Sequence, residues 1–155
     1  MNTKKPILNF ILLEKLWTKL VPSWEEEVSY TLEKTAEILR QDFSEREVSV
    51  VLTNDREIQN LNKTFRHKDN PTNVLSFPSE EEGELGDIIL AYETIMREAE
   101  EAGVSPRHHT IHLIIHGFLH LLGYDHEKEN EAQRMEAMEI QILKDLNIAN
   151  PYEDL

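Results

Sequence analysis

Residues 112–126, HLIIHGFLHLLGYDH, constrain the fold of this chain more than any other stretch. Around the histidines, Ile111, Leu113, Ile114, Ile115, Phe118, Leu119, Leu121 and Leu122 leave no wide polar face. A helix with that pattern is central and buried. Ser105-Pro106 marks its start, with proline at the first helical position, and Gly123 marks its end.

Four of the chain's seven histidines fall in these fifteen positions, and His116, His120 and His126 follow H-x3-H-x5-H. Residues four apart share a helix face, so His116 and His120 can both reach one ion about 2.0–2.1 Å from each nitrogen. A left-handed Gly123 would turn the chain so that His126 returns as a third ligand. Three neutral imidazoles leave a fourth position open, as in a catalytic zinc site. Another divalent transition metal would fit the same donors. His112 also lies four before His116, and that pair is the alternative. However, 112, 116 and 120 together span about 12 Å of helix axis, which suits a single ion poorly. His112 is therefore expected behind the ligands, as is Asp125, which can orient a ligand imidazole or cap the loop. His108 and His109, at the helix start, are expected to be solvated.

A chain of 155 residues fits one domain, expected over residues 1–155, and is long enough to bury a core. The absence of cysteine excludes disulfides and thiolate sites, so any metal rests on histidine or carboxylate. This suits a cytoplasmic protein. Glu14 and Lys15 interrupt the first apolar patch, which therefore reads as mature protein and not as a signal peptide. No apolar run approaches the roughly 20 residues that cross a bilayer, and no membrane association is expected. The net charge of -14 repels polyanions. Residues 55–68 run against that balance, with Arg56, Lys63, Arg66 and Lys68 against Asp55 and Glu57.

Strands are expected at 6–13, 47–54, NVLSFP (73–78) and 85–93. Helices are expected after Ser23, from Asp55 with Ile58, Leu61 and Phe65 as its stripe, and at about 94–102. Two more are the histidine helix and one at about 128–146 with Met135, Met138, Ile142 and Leu146 inward. The elements mix without strict βαβ alternation. The fold class is α+β: a small twisted mixed sheet of about four strands packed with about five helices, with a zincin-like metal helix.

In metzincin proteases the residue after the first histidine is the glutamate that takes a proton from the metal's water. Here it is Gly117, which disfavours a peptidase working that way. The metal can still lower the pKa of a water towards 7. HGFLHLLGYDH (116–126), FRHKDNPTNVLSFP (65–78) and LGDIIL (85–90) together resemble the bacterial YbeY family of single-strand-specific endoribonucleases, over about residues 45–152, with NPYED near the end. Asn73 stands where the family often has Asp. The resemblance implies action in ribosomal RNA maturation and ribosome quality control. It implies His116, His120 and His126 as ligands of Zn2+, and ribosomal small-subunit components and the GTPase Era as partners.

By position, Arg66 corresponds to the family's functionally important arginine. A permanently charged guanidinium can grip a phosphate in bidentate fashion as charge develops on its oxygens. Lys63 and Lys68 beside it are candidate RNA contacts. Ser76 is given a hydrogen-bonding role in its strand. At this net charge, weak and salt-sensitive activity on free RNA is expected. Two other readings stand beside the endoribonuclease: a zinc peptidase or amidase on the same tripod, and a non-catalytic ribosome-assembly factor.

Overall fold

The computed structural model describes residues 4–125 and 127–153. β1 (Ile7–Leu12), β2 (Glu47–Thr53) and β4 (Glu84–Ala91) pair in parallel, and β3 (Val74–Pro78) lies antiparallel to β4. The sheet order is β1-β2-β4-β3, so β3 forms one edge. Five α-helices, α1 (Trp24–Leu39), α2 (Asp55–Arg66), α3 (Tyr92–Ala102), α4 (Pro106–Leu121) and α5 (Glu129–Asp145), complete the α+β fold.

Alternation along the strands decides which helix covers which face. Ile88 and Leu90 of β4, with Val48, Val50 and Leu52 of β2, point to the side where α4 delivers Ile114 and Phe118. Ile89 and Ala91 point to the other side and meet Ile58 of α2 with Leu75 of β3. Behind α4, a second apolar cluster joins its Ile111, Ile115 and Leu119 to Met135, Ile142 and Leu143 of α5. Helix α4 is therefore enclosed by the sheet on one flank and by α5 on another, as its all-round apolar sequence requires. Burial of each such side chain contributes roughly 1.5–3 kcal/mol.

The first 45 residues carry no sharp motif, yet they supply edge strand β1, α1 and an aromatic corner. The fully buried Trp17 donates its indole N–H to the Thr53 carbonyl at 2.9 Å, and Trp24 donates to the Trp17 carbonyl at 2.7 Å. Trp17 meets Trp24 and Tyr92 edge-on, with centroids 5.6 and 5.4 Å away.

Several elements differ in detail from the sequence expectation, each for a physical reason. Helix α3 begins at Tyr92, two residues earlier than expected, because its cap comes from another helix. The Asp55 carboxylate accepts the backbone N–H of Thr94 at 3.0 Å and its hydroxyl at 2.9 Å. Ser23 precedes α1 without a side-chain capping bond, leaving Glu25, Glu26 and Glu27 to complement the helix dipole. Phe65, expected in the α2 stripe, is 63 % exposed at the last turn of α2, where its ring lies edge-on to Phe77 of edge strand β3. In α5 the inward positions are Met135, Glu139, Ile142 and Leu143, with Met138 and Leu146 only partly buried.

Candidate metal centre

Two flanks of α4 are committed to the sheet and α5, and the remaining flank carries His112, His116 and His120, all half-buried. The helix is anchored at its start by Ser105, whose hydroxyl accepts the His108 N–H at 3.3 Å, with Pro106 following. It ends in a Schellman turn. The Tyr124 N–H reaches the Leu119 carbonyl and the Gly123 N–H reaches that of His120, both at 3.0 Å. That turn needs a left-handed residue, and Gly123 has φ +99°.

His116 and His120 converge. Their Nε2 atoms are 3.2 Å apart, with ring centroids 4.7 Å apart and planes nearly perpendicular. Two nitrogens bound tetrahedrally to one ion, about 2.05 Å from each, lie about 3.3 Å from each other. The pair therefore fits a metal without rearrangement. No group of three or more potential ligands is assembled among the described residues, and His126, the expected third, lies outside them.

His112 does not join that pair. Its ring centroid is 6.4 Å from that of His116, and its Nε2 bonds to Glu139 Oε1 at 2.5 Å. Glu139 is fully buried, and its other oxygen lies 3.3 Å from His116 Nδ1. The Tyr152 hydroxyl donates to Glu139 Oε1 at 2.8 Å. Burial alone would raise the Glu139 carboxyl. Hydrogen bonds from His112 and His116, with the charge of both rings, outweigh it and bring the carboxyl down to about 2. Burial, and then the Glu139 charge, push the Tyr152 phenol up. Glu139 was not marked by the sequence, and Tyr152 stood only inside the NPYED stretch, with no role assigned to it. The available signal was the inward register of position 139, four after Met135 and three before Ile142.

Asp125 accepts the Glu127 N–H at 3.1 Å, a loop-capping contact. His109, expected in solvent, is half-buried and pairs with Glu98 at 2.9 Å, and the same carboxylate oxygen takes the Asn73 amide at 2.9 Å. Partial burial lowers the pKa of His108, helped by Arg107.

Arg66, the last residue of α2, brings its guanidinium to the edge of the sheet. It donates to the Ser76 carbonyl at 3.2 Å and lies 5.6 Å from the Phe77 ring centroid. The Ser76 hydroxyl in turn donates to the Gly117 carbonyl on α4 at 3.2 Å. One strand residue thus connects the arginine to the histidine helix. After α2 the chain turns at His67, φ +58°, and the buried Asn62 holds the Asn70 carbonyl at 2.9 Å. Lys63 and Lys68 are exposed on this segment. Gly117 faces the sheet: a Cβ there would lie 2.9 Å from both Ile88 Cγ2 and Ser76 Oγ. The position that carries a catalytic glutamate in metzincins has no room here for a side chain.

A family profile described as "Endoribonuclease YbeY" matches residues 14–147. The chain belongs to the YbeY family. The match reaches well before residue 45, taking in the Trp17 corner and α1. A relative from Bradyrhizobium diazoefficiens named "Endoribonuclease YbeY" is 44% identical over 159 residues, covering 96% of this chain and 86% of its own. A Sphingopyxis alaskensis protein of the same name is 52% identical over 121 residues, covering 70% and 72%. A Thermotoga maritima protein known from its solution structure superposes with a TM-score of 0.60 at 27% identity, covering 96% of this chain and all of that one. Likeness to known proteins, in sequence and in fold, therefore extends over nearly the whole chain.

Proposed function

We propose that this YbeY-family chain is a single-domain, metal-dependent endoribonuclease that cuts single-stranded RNA in ribosomal RNA maturation and ribosome quality control. The reading rests above all on the 3.2 Å approach of His116 Nε2 to His120 Nε2, which matches the separation of two nitrogens sharing one tetrahedral ion. His116, His120 and His126 are the ligands we assign, and Zn2+ the ion. A divalent ion held there supplies Lewis acidity that makes water nucleophilic near neutral pH.

Arg66 is the catalytic side chain we assign beyond the ligands. Its guanidinium has five N–H donors, and the Ser76 carbonyl takes one of them. The others can donate to phosphate oxygens and stabilise the charge that grows on them during cleavage. Ser76 accepts from the guanidinium through its carbonyl and donates through its hydroxyl to Gly117 of α4, and this link between Arg66 and the histidine helix supports the assignment. Lys63 and Lys68 extend the cationic strip along the RNA backbone. The net charge of -14 opposes capture of RNA from solution. Delivery by ribosomal small-subunit components and the GTPase Era, in the cytoplasm, completes the proposal. No helix is long and apolar enough to cross a membrane among the described residues.

The peptidase reading loses support at Gly117, whose Cβ position is filled by Ile88 and Ser76. The test is cleavage of labelled single-stranded RNA and of a peptide library, each with and without chelator, by the wild type, His120→Ala and Arg66→Ala. RNA cleavage by the wild type alone, abolished by chelator, is the expected result. Peptide cleavage would sink the proposal. Ribosome association without any cleavage would favour the assembly-factor reading.

A further inference from the structure

We infer that Glu139 is a positioning residue for the metal centre: its buried carboxylate holds the His116 imidazole with Nδ1 protonated, which turns the Nε2 lone pair towards His120, and His112 and Tyr152 hold the carboxylate. The inference rests on the metal site proposed above. In a neutral imidazole one nitrogen donates and the other accepts, and the hydrogen bond made by one fixes the role of the other. At His116 the Nδ1 side faces a fully buried carboxylate oxygen 3.3 Å away, while the Nε2 side faces the other imidazole. An anion can only accept, so Nδ1 must carry the proton and Nε2 must carry the lone pair a metal needs.

The carboxylate is itself aimed. Oε1 receives His112 Nε2 at 2.5 Å and the Tyr152 hydroxyl at 2.8 Å, which leaves Oε2 to His116. Tyr152 reaches it from a turn in which Asn150 Oδ1 accepts the Tyr152 N–H at 2.8 Å, which holds the segment after α5 where its phenol meets Glu139. Packing does not call for an acid here: position 139 lies on the inward face of α5 with Met135, Ile142 and Leu143, where an apolar side chain would complete the cluster. Burying a carboxylate is costly unless it is hydrogen-bonded, and two of the three groups that bond it here, His112 and His116, belong to the histidine row, the third being Tyr152. His112, too distant for the ion, thereby acquires a role.

The experiment compares wild type, Glu139→Gln, Glu139→Leu and Tyr152→Phe in full-length protein by two readouts. Zinc affinity is measured by competition with a chelator, and the His116 tautomer by imidazole nitrogen chemical shifts in zinc-free protein. Support for an oriented ligand is typically worth 10–100-fold in metal affinity. Zinc binding is expected to weaken by roughly that range in Glu139→Leu, towards its lower end in Glu139→Gln, and less in Tyr152→Phe. The tautomer is expected to change to a mixture in Glu139→Leu. If Glu139→Gln and Tyr152→Phe are folded and keep both wild-type zinc affinity and the wild-type tautomer, Glu139 is only a structural residue and the inference falls. A wild type that binds no zinc overturns the metal centre and the inference with it, an outcome distinct from a wild type and variants that bind equally.

Discussion

Gly117 leaves no space for the glutamate that a metzincin peptidase needs, and Arg66 carries the catalytic role we propose. At Gly117 two effects oppose each other on substitution by alanine. Helix propensity favours alanine by about 1 kcal/mol, while overpacking against Ile88 and Ser76 costs roughly 1–3 kcal/mol. Ile88 is fully buried and short, so it yields little room. A net loss of about 1 kcal/mol is expected for Gly117→Ala in urea denaturation, and Gly117→Glu should lose more and gain no peptide cleavage. Arg66 is exposed, so its removal should shift stability by no more than about 0.5 kcal/mol. Removal of a donor aimed at developing charge costs roughly 100–1,000-fold in kcat. Arg66→Ala should show that loss on single-stranded RNA. Arg66→Lys should recover only part of it, because an ammonium cannot offer a planar fork. Full activity in Arg66→Lys would reduce Arg66 to a point charge.

Element by element, local patterning decided how much could be read in advance. Helix α4 was legible because its signals are local: an apolar surround, Ser105-Pro106 at the start, Gly123 at the end and histidines four apart. The strands were legible from β-branched runs, and the sheet order was not, because pairing joins residues far apart in sequence. Glu139 is one of four glutamates in α5, and only its packing against α4 distinguishes it from those facing solvent. The start of α3 was misplaced for the same reason, its cap being Asp55 of α2. At the other end of α4, Gly123 carries a testable cost. A residue with a Cβ in this left-handed position loses about 1–2 kcal/mol. Gly123→Ala should show that loss in denaturant, while Gly123→Asn should lose less, asparagine being the better tolerated substitute. Within α4, Phe118→Ala removes a fully buried ring between the sheet and α1 and should cost roughly 3–5 kcal/mol.

At the scale of the whole molecule, charge sets the terms on which RNA can approach. A net charge of -14 on 155 residues gives a field that disfavours any polyanion, and the exposed strip Lys63, Arg66 and Lys68 is a small exception to it. Binding of random single-stranded RNA by the isolated protein should therefore be weak, roughly 10⁻⁴ M at physiological salt. Three cations on phosphates release about two counterions from a single strand, so the logarithm of the binding constant should fall against that of salt with a slope of about -2. Paired substitution Lys63→Glu with Lys68→Glu should flatten that slope and weaken binding, while leaving zinc affinity unchanged because among the described residues neither lysine bonds to His112, His116 or His120. Chelator should do the reverse: it should abolish cleavage and leave the salt slope nearly as it was. A steep slope, on the order of -6 or beyond, would mean that a larger cationic surface than residues 63–68 grips the RNA. The charge argument for delivery by a partner would then fail, because the isolated chain could collect its own substrate.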